Sequence, residues 1–353
     1  MKRAGHGPWL YWPTMHIPQY WAQARLRHAT GKRHGATVQR WGWSDHSQPE
    51  AEAHARQRAQ QALDALLAAP KARNLDAGFE RMEWRGEYGL DGATPIREEV
   101  LERRGNTVLT RNSYGAHCLN TEQVAIADMD YPLPPRPAGL PWLSSLLLLA
   151  ALAVIAQQPA VWDMRMLIGV IAAAALGLLC LRRWQHWARD RSAGAKAQPP
   201  RQTALADIQN LAQQHPDWGL RVYETPKGLR VIVTHATFHA QAPEVKTLFE
   251  GLRVDPLYAM LCERQQCFRA RVSAKPWRMK MSGLSTQERG WPLDAQRLPA
   301  RQQWVSDYEQ TAAKFAACRF VMQLGNPASC AEAGEFVAWH DAASRAQSEL
   351  PLA

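Results

Sequence analysis

Two apolar runs, 140–156 and 166–181, stand in the middle of an otherwise polar chain with only nine residues between them. Neither run carries a charge, and both are rich in Leu, Ala, Ile and Val. As a helix each would reach roughly 25 Å, close to the hydrocarbon thickness of a bilayer. The pair therefore predicts a transmembrane hairpin, with a re-entrant or interfacial hairpin as the alternative. Trp142 stands at the start of the first run, Trp162 between the two, and Trp184 and Trp187 just past the second, where interfacial aromatics belong. Arg182, Arg183, Arg189, Arg191, Lys196 and Arg201 follow the second run against a single acid, Asp190. By the positive-inside tendency, this places the protein in the inner or plasma membrane with both termini cytoplasmic.

The chain has 353 residues and a formal charge of +10, so it calls for a partner of opposite sign. Anionic headgroups of the lipid bilayer near Arg182 to Arg201 are one such partner, and a nucleotide or nucleic acid is another. Six cysteines are scattered without a CxxC pair, which favours buried free thiols over a zinc site or a disulfide framework. Walker, HExxH, GxSxG and GxGxxG motifs are absent, and with them the support for P-loop, zincin, serine hydrolase and Rossmann chemistry.

The soluble parts read as α+β. Residues 1–35 show no clear period. Residues 37–43 suit a strand, and Ser47, Pro49 and Glu50 form a helix start ahead of an Ala-rich amphipathic helix over 49–69. Residues 107–111 suit a strand, 112–120 a loop, and 124–130 a strand of sequence VAIADMD. After the hairpin, a helix over 203–214, strands over 219–225 and 229–235, a helix over 243–252 and a strand over 267–274 follow. That order is the ferredoxin-like or RRM-like unit, an antiparallel sheet covered by two helices, here with the transmembrane hairpin inserted after its first strand. Helices over 300–324 and 332–346 complete the chain. The resulting divisions are an N-terminal α+β region (1–106), the first strands of the main domain (107–135), the hairpin (140–181), a basic juxtamembrane linker (182–202), the rest of the RRM-like domain (203–277) and a C-terminal helical region (278–353).

Asp128 and Asp130 lie two apart on one strand, so their carboxylates share a face. Such a pair suits a magnesium or manganese ion with coordination sites left for phosphate oxygens, but equally a turn ahead of Tyr131 and Pro132. If the first strand pairs with the third, Lys227, Gly228 and Arg230 converge on the same spot, a cationic glycine turn suited to phosphate. Arg269, Arg271, Lys275 and Arg278 alternate with apolar residues downstream and could extend a basic stripe for a nucleic-acid backbone, or simply keep a sheet edge soluble. Arg111, Asn112, Tyr114, His117 and Asn120 line a pocket or satisfy a loop.

With its acidic pair on VAIADMD and its turn TPKGLR, this stretch of about 110 residues resembles the palm of the archaeo-eukaryotic primase and primase-polymerase superfamily. The resemblance implies metal ligation by Asp128 and Asp130, a catalytic role for these two and Arg230, and a third acid, for which Asp255 stands nearest. Arg230 occupies the position where that family has a histidine, and His235 falls at the far end of the strand. Two functions stay open: a binding or scaffold module, and a metal-dependent nucleotide or nucleic-acid enzyme.

Overall fold

The computed structural model describes residues 14–30, 34–68, 94–131, 200–286 and 288–353. The described residues up to Asp130 and from Ala204 onward belong to one compact unit. It is α+β, with three antiparallel sheets among the described residues.

Two eleven-residue strands, β1 (Tyr20–Thr30) and β2 (His34–Ser44), pair from Tyr20↔Ser44 to Thr30↔His34. The helix α1 (Gln48–Ala68) lies across them, with Ala51, Ala55 and Ala59 packed against Ala22 and Ala24. The alanine face permits a close approach: a Cβ on Gly42 would stand 2.1 Å from the Ala55 backbone nitrogen. The expected helix start holds in part. Ser47 Oγ accepts from Glu50 N at 3.4 Å, while the Glu50 carboxylate accepts from Ser44 Oγ at 2.6 Å rather than from the Ser47 backbone. The strand β1 is not anticipated from sequence. Its period-two signal, A-Q-A-R-L-R, is short and embedded among Trp, Pro and His.

A second sheet runs β3 (Glu99–Arg104), β4 (Thr107–Arg111), β5 (His117–Thr121) and β9 (Phe268–Arg271). The third has the order β10-β7-β8-β6, from β6 (Ile126–Asp130), β7 (Gly219–Thr225), β8 (Gly228–Val233) and β10 (Arg319–Gly325). All six residues of β8 are buried, as befits an inner strand of sequence GLRVIV. The helices α2 (Pro200–Gln214), α3 (Pro243–Gly251), α4 (Pro256–Gln265), α5 (Leu298–Ala312) and α6 (Ala331–Ser344) complete the described elements.

Three expectations are corrected here. No helix among the described residues is long and apolar enough to cross a membrane, and the runs 140–156 and 166–181 lie outside the described residues. The structure therefore does not carry the two-pass arrangement, nor the membrane location with cytoplasmic termini that rested on it. The single ferredoxin-like sheet is also replaced. Its first, second and third strands pair as expected, β6 to β8 and β8 to β7, but the expected fourth strand, β9, pairs with β5 in another sheet. Buried Glu98 holds it there by accepting from Arg269 Nη2 at 2.7 and 2.8 Å. A further strand, β10, pairs with β7 at the opposite edge from β6, and it comes from a stretch expected to be helix. Where that helix stops early, the Arg345 guanidinium donates to the Ala312 carbonyl at 3.2 Å.

Side chains from two elements tie the two four-stranded sheets together. The Tyr258 hydroxyl on α4 lies 3.0 Å from Ile126 O and 3.3 Å from Arg269 O, and Arg230 Nη1 donates to Arg271 O at 3.0 Å. At the turn between β7 and β8, Gly228 is pressed against β6: a Cβ there would stand 1.8 Å from Met129 O. Gly228→Ala should therefore displace one strand end and cost about 1–3 kcal/mol, read as a lower urea midpoint with an unchanged m-value.

Candidate functional site

Strand register decides what the acidic pair can do. Asp128 stands opposite Arg230 and Asp130 opposite Gly228, so the expected convergence of acidic strand and cationic turn is present. Asp128 is nevertheless engaged: Arg230 Nε donates to its Oδ1 at 2.7 Å and Arg230 Nη2 to its Oδ2 at 3.0 Å. The Arg230 side chain is only 2% exposed. Burial opposes its charge, and the Asp128 carboxylate more than offsets that, raising its pKa further.

Behind Arg230 lies a buried polar chain. Its Nη1 is 3.3 Å from His340 Nε2, and His340 Nδ1 is 3.1 Å from Asp341 Oδ1. These partners assign the proton to Nδ1, which leaves Nε2 to accept from arginine. Asp341 also accepts from Tyr223 Oη at 2.6 Å and from Arg221 Nη2 at 2.7 Å. Burial pushes its pKa up, but the bonds from His340, Tyr223 and Arg221 prevail and hold it at about 2. A depressed carboxylate stabilises the fold above its unfolded value, and that contribution is lost as pH falls toward about 2. Asp341→Asn should accordingly flatten the fall of stability between about pH 4 and pH 2, checked by urea midpoints across that range.

The remaining expected residues fall into place one by one. Asp130 is exposed and, among the described residues, has no ion pair. Asp255 caps α4, accepting from Leu257 N at 2.9 Å. His235 Nδ1 accepts from Gly219 N at 3.1 Å, and burial lowers its pKa. Arg111 pairs with Glu99 at 3.2 Å and Glu309 at 3.0 Å, His117 lies 2.9 Å from Glu309, and Asn120 donates to Val108 O at 2.9 Å. Cys118, Cys262, Cys267 and Cys318 are buried free thiols, and burial drives Cys267 up to about 12. Each Asp128 oxygen accepts a bond from Arg230, so this carboxylate serves as the arginine's counter-charge, while Asp130 stands exposed beside it. Among the described residues no group of three or more His, Cys, Asp and Glu could hold a metal ion.

What does gather at the mouth of the β6–β8 pair is positive charge. Lys227 is exposed on the turn, and Arg271, Lys275 and Arg278 approach from β9 and the short helical turn Pro276–Met279. Lys275 lies in the field of Arg271, Arg278, Asp130 and Lys227. Burial first, and then repulsion from Arg271, Arg278 and Lys227, pulls its pKa below the ordinary lysine value. Burial and Arg271 lower Arg278 in the same way. Among the described residues neither Lys227, Lys275 nor Arg278 forms an ion pair, and Arg278 Nη1 is buried without a hydrogen-bond partner.

Two aromatic rings border these cations. Tyr114 and Trp277 lie 5.2 Å apart, with Lys275 Nζ 5.9 Å from the first ring and 5.5 Å from the second. The loop carrying Tyr114 is built by Asn112, whose Oδ1 accepts from Tyr114 N at 3.2 Å and Ala116 N at 3.0 Å. Gly115, at φ +96°, lets that loop pass over Trp304, which a Cβ would strike at 2.1 Å. Ala274, Met279 and Tyr308 form the apolar floor. No tryptophan is expected as a ligand from sequence, so Trp277 is new to the site. Its signal was K-P-W-R, an aromatic set between two cations.

No family model, curated protein or solved structure matches the chain.

Proposed function

We propose that the chain is a binding module for a phosphate-bearing anion, seated where Lys227, Arg271, Lys275 and Arg278 meet beside Asp130. The observation that carries this reading is the gathering of four cations at one place, none of them in an ion pair among the described residues. Surface cations usually alternate with acids, which keeps like charges apart. Here burial first, and then repulsion from neighbouring cations, lowers the pKa values of Lys275 and Arg278, so a bound anion would relieve a cost already present in the fold. Nucleotidyl transfer gains no comparable support, because Asp128 holds arginine with both oxygens.

The test is equilibrium binding of inorganic polyphosphate to the full chain over a salt series. Binding should weaken steeply with salt, and the Lys275→Gln variant should bind several-fold more weakly, while Lys246→Gln, a fully separate surface cation on α3, should match the parent. Equal binding by all three proteins would refute the reading.

A further inference from the structure

We propose that the anion this surface takes is single-stranded nucleic acid, with its backbone on the cations and an unpaired base against Trp277. The inference rests on the phosphate-binding reading above and adds the class of ligand.

Trp277 is 55% exposed, more than any other large hydrophobic side chain among the described residues. An indole this open offers a large, flat face to a partner, with a polar N–H at its edge. Its neighbours show which partner. The Lys275 ammonium sits within 6 Å of both rings, so a cation and two π-faces are presented together. Free phosphate, polyphosphate and the outside of a duplex all offer charge but no accessible base face. A single strand offers both, a phosphate row with flat π-faces beside it, and binding sites for it combine these same parts.

The arrangement is also held in place. Pro276 begins the turn that carries Trp277, and Met281 N closes it on Pro276 O at 3.0 Å. Gly115 and Asn112 fix Tyr114 from the other side. Pre-set rings lose little side-chain freedom when a base stacks on them. Asp130 at the edge of the cations repels a phosphate placed too deep, which favours a backbone running along the surface over a phosphate buried at the strand end.

The test uses the full chain and three probes at equal ionic strength: a labelled oligothymidylate of twenty nucleotides, a duplex of the same length, and inorganic polyphosphate. The single strand should bind at least about tenfold more tightly than the duplex. Trp277→Ala should lose about tenfold on the single strand and nothing on polyphosphate, and Trp277→Phe should restore most of that loss. Because Trp277 is exposed, neither variant threatens folding. Equal affinity for strand and duplex, or no loss in Trp277→Ala, would overturn the inference while leaving the phosphate reading intact. Binding of none of the three probes would overturn both.

Discussion

Asp128→Asn should cost about 3–5 kcal/mol of stability, because it strips the counter-charge from a guanidinium that is 2% exposed. The expected size follows from asymmetry. A buried ion pair contributes little relative to apolar residues of the same shape, but removing one partner leaves the other charged, buried and unpaired. Neutralising Asp128 also disturbs what lies behind it, since Arg230 bonds the Arg271 carbonyl and faces His340. Loss on this scale would consume a large part of a typical domain's stability, so the variant should show a much lower urea midpoint. Asp130→Asn, two residues on and exposed, should stay within about 0.5 kcal/mol of the parent. A pair of metal ligands would give the opposite pattern: both Asn variants would be nearly neutral or slightly stabilising without metal, since each would relieve like-charge repulsion.

A second large effect is expected on binding. Replacing Lys227, Lys275 and Arg278 together by Gln should lower the slope of log affinity against log salt for a single strand by about 2, because each phosphate that is no longer neutralised removes about 0.7 from it. At low salt the affinity should fall by two orders of magnitude or more, because each cation releases counterions from the strand and the three act together. Stability should hold or rise slightly, since the substitutions remove mutual repulsion and break no ion pair among the described residues. Titration of the triple variant beside the parent at four salt concentrations, with urea unfolding of both, separates weaker binding from weaker folding.

The local elements were legible where pattern and chain agreed. The hairpin of β7 and β8 announced itself through T-P-K-G between two apolar runs, and α1 through its Ser47 start and alanine face. The pairing of β6 with β8 followed from element order, which put Asp128 and Asp130 beside the cationic turn. What the order could not supply was which sheet β9 would join. That is set by a buried contact between Arg269 and Glu98, 171 residues apart in sequence. The same holds for β10: a helical spacing of apolar residues runs into RFVMQLG, and the distant Arg345 donates to the Ala312 carbonyl where the helix stops.

At the site, residue types were legible and their employment was not. A DxD on a strand and an arginine across from it can form a metal cradle with a phosphate clamp, or an internal salt bridge. Burial of Arg230 decides between them, and burial is a property of the whole packing. Lys275 and Arg278 were visible as a basic stripe, yet the stripe divides: Arg269 turns inward to Glu98, while Arg271, Lys275 and Arg278 gather near Lys227.

The most direct measurement is a footprint of lysine reactivity on the full chain, by brief acetylation near neutral pH and mass spectrometry, with and without polyphosphate. Lys275, whose pKa is lowered, should react faster than exposed Lys246 or Lys314 in the free protein and should be the most strongly protected when the anion is bound, followed by Lys227. Protection spread evenly over all lysines, or confined to Lys246 or Lys314, would contradict a phosphate-binding surface at this place.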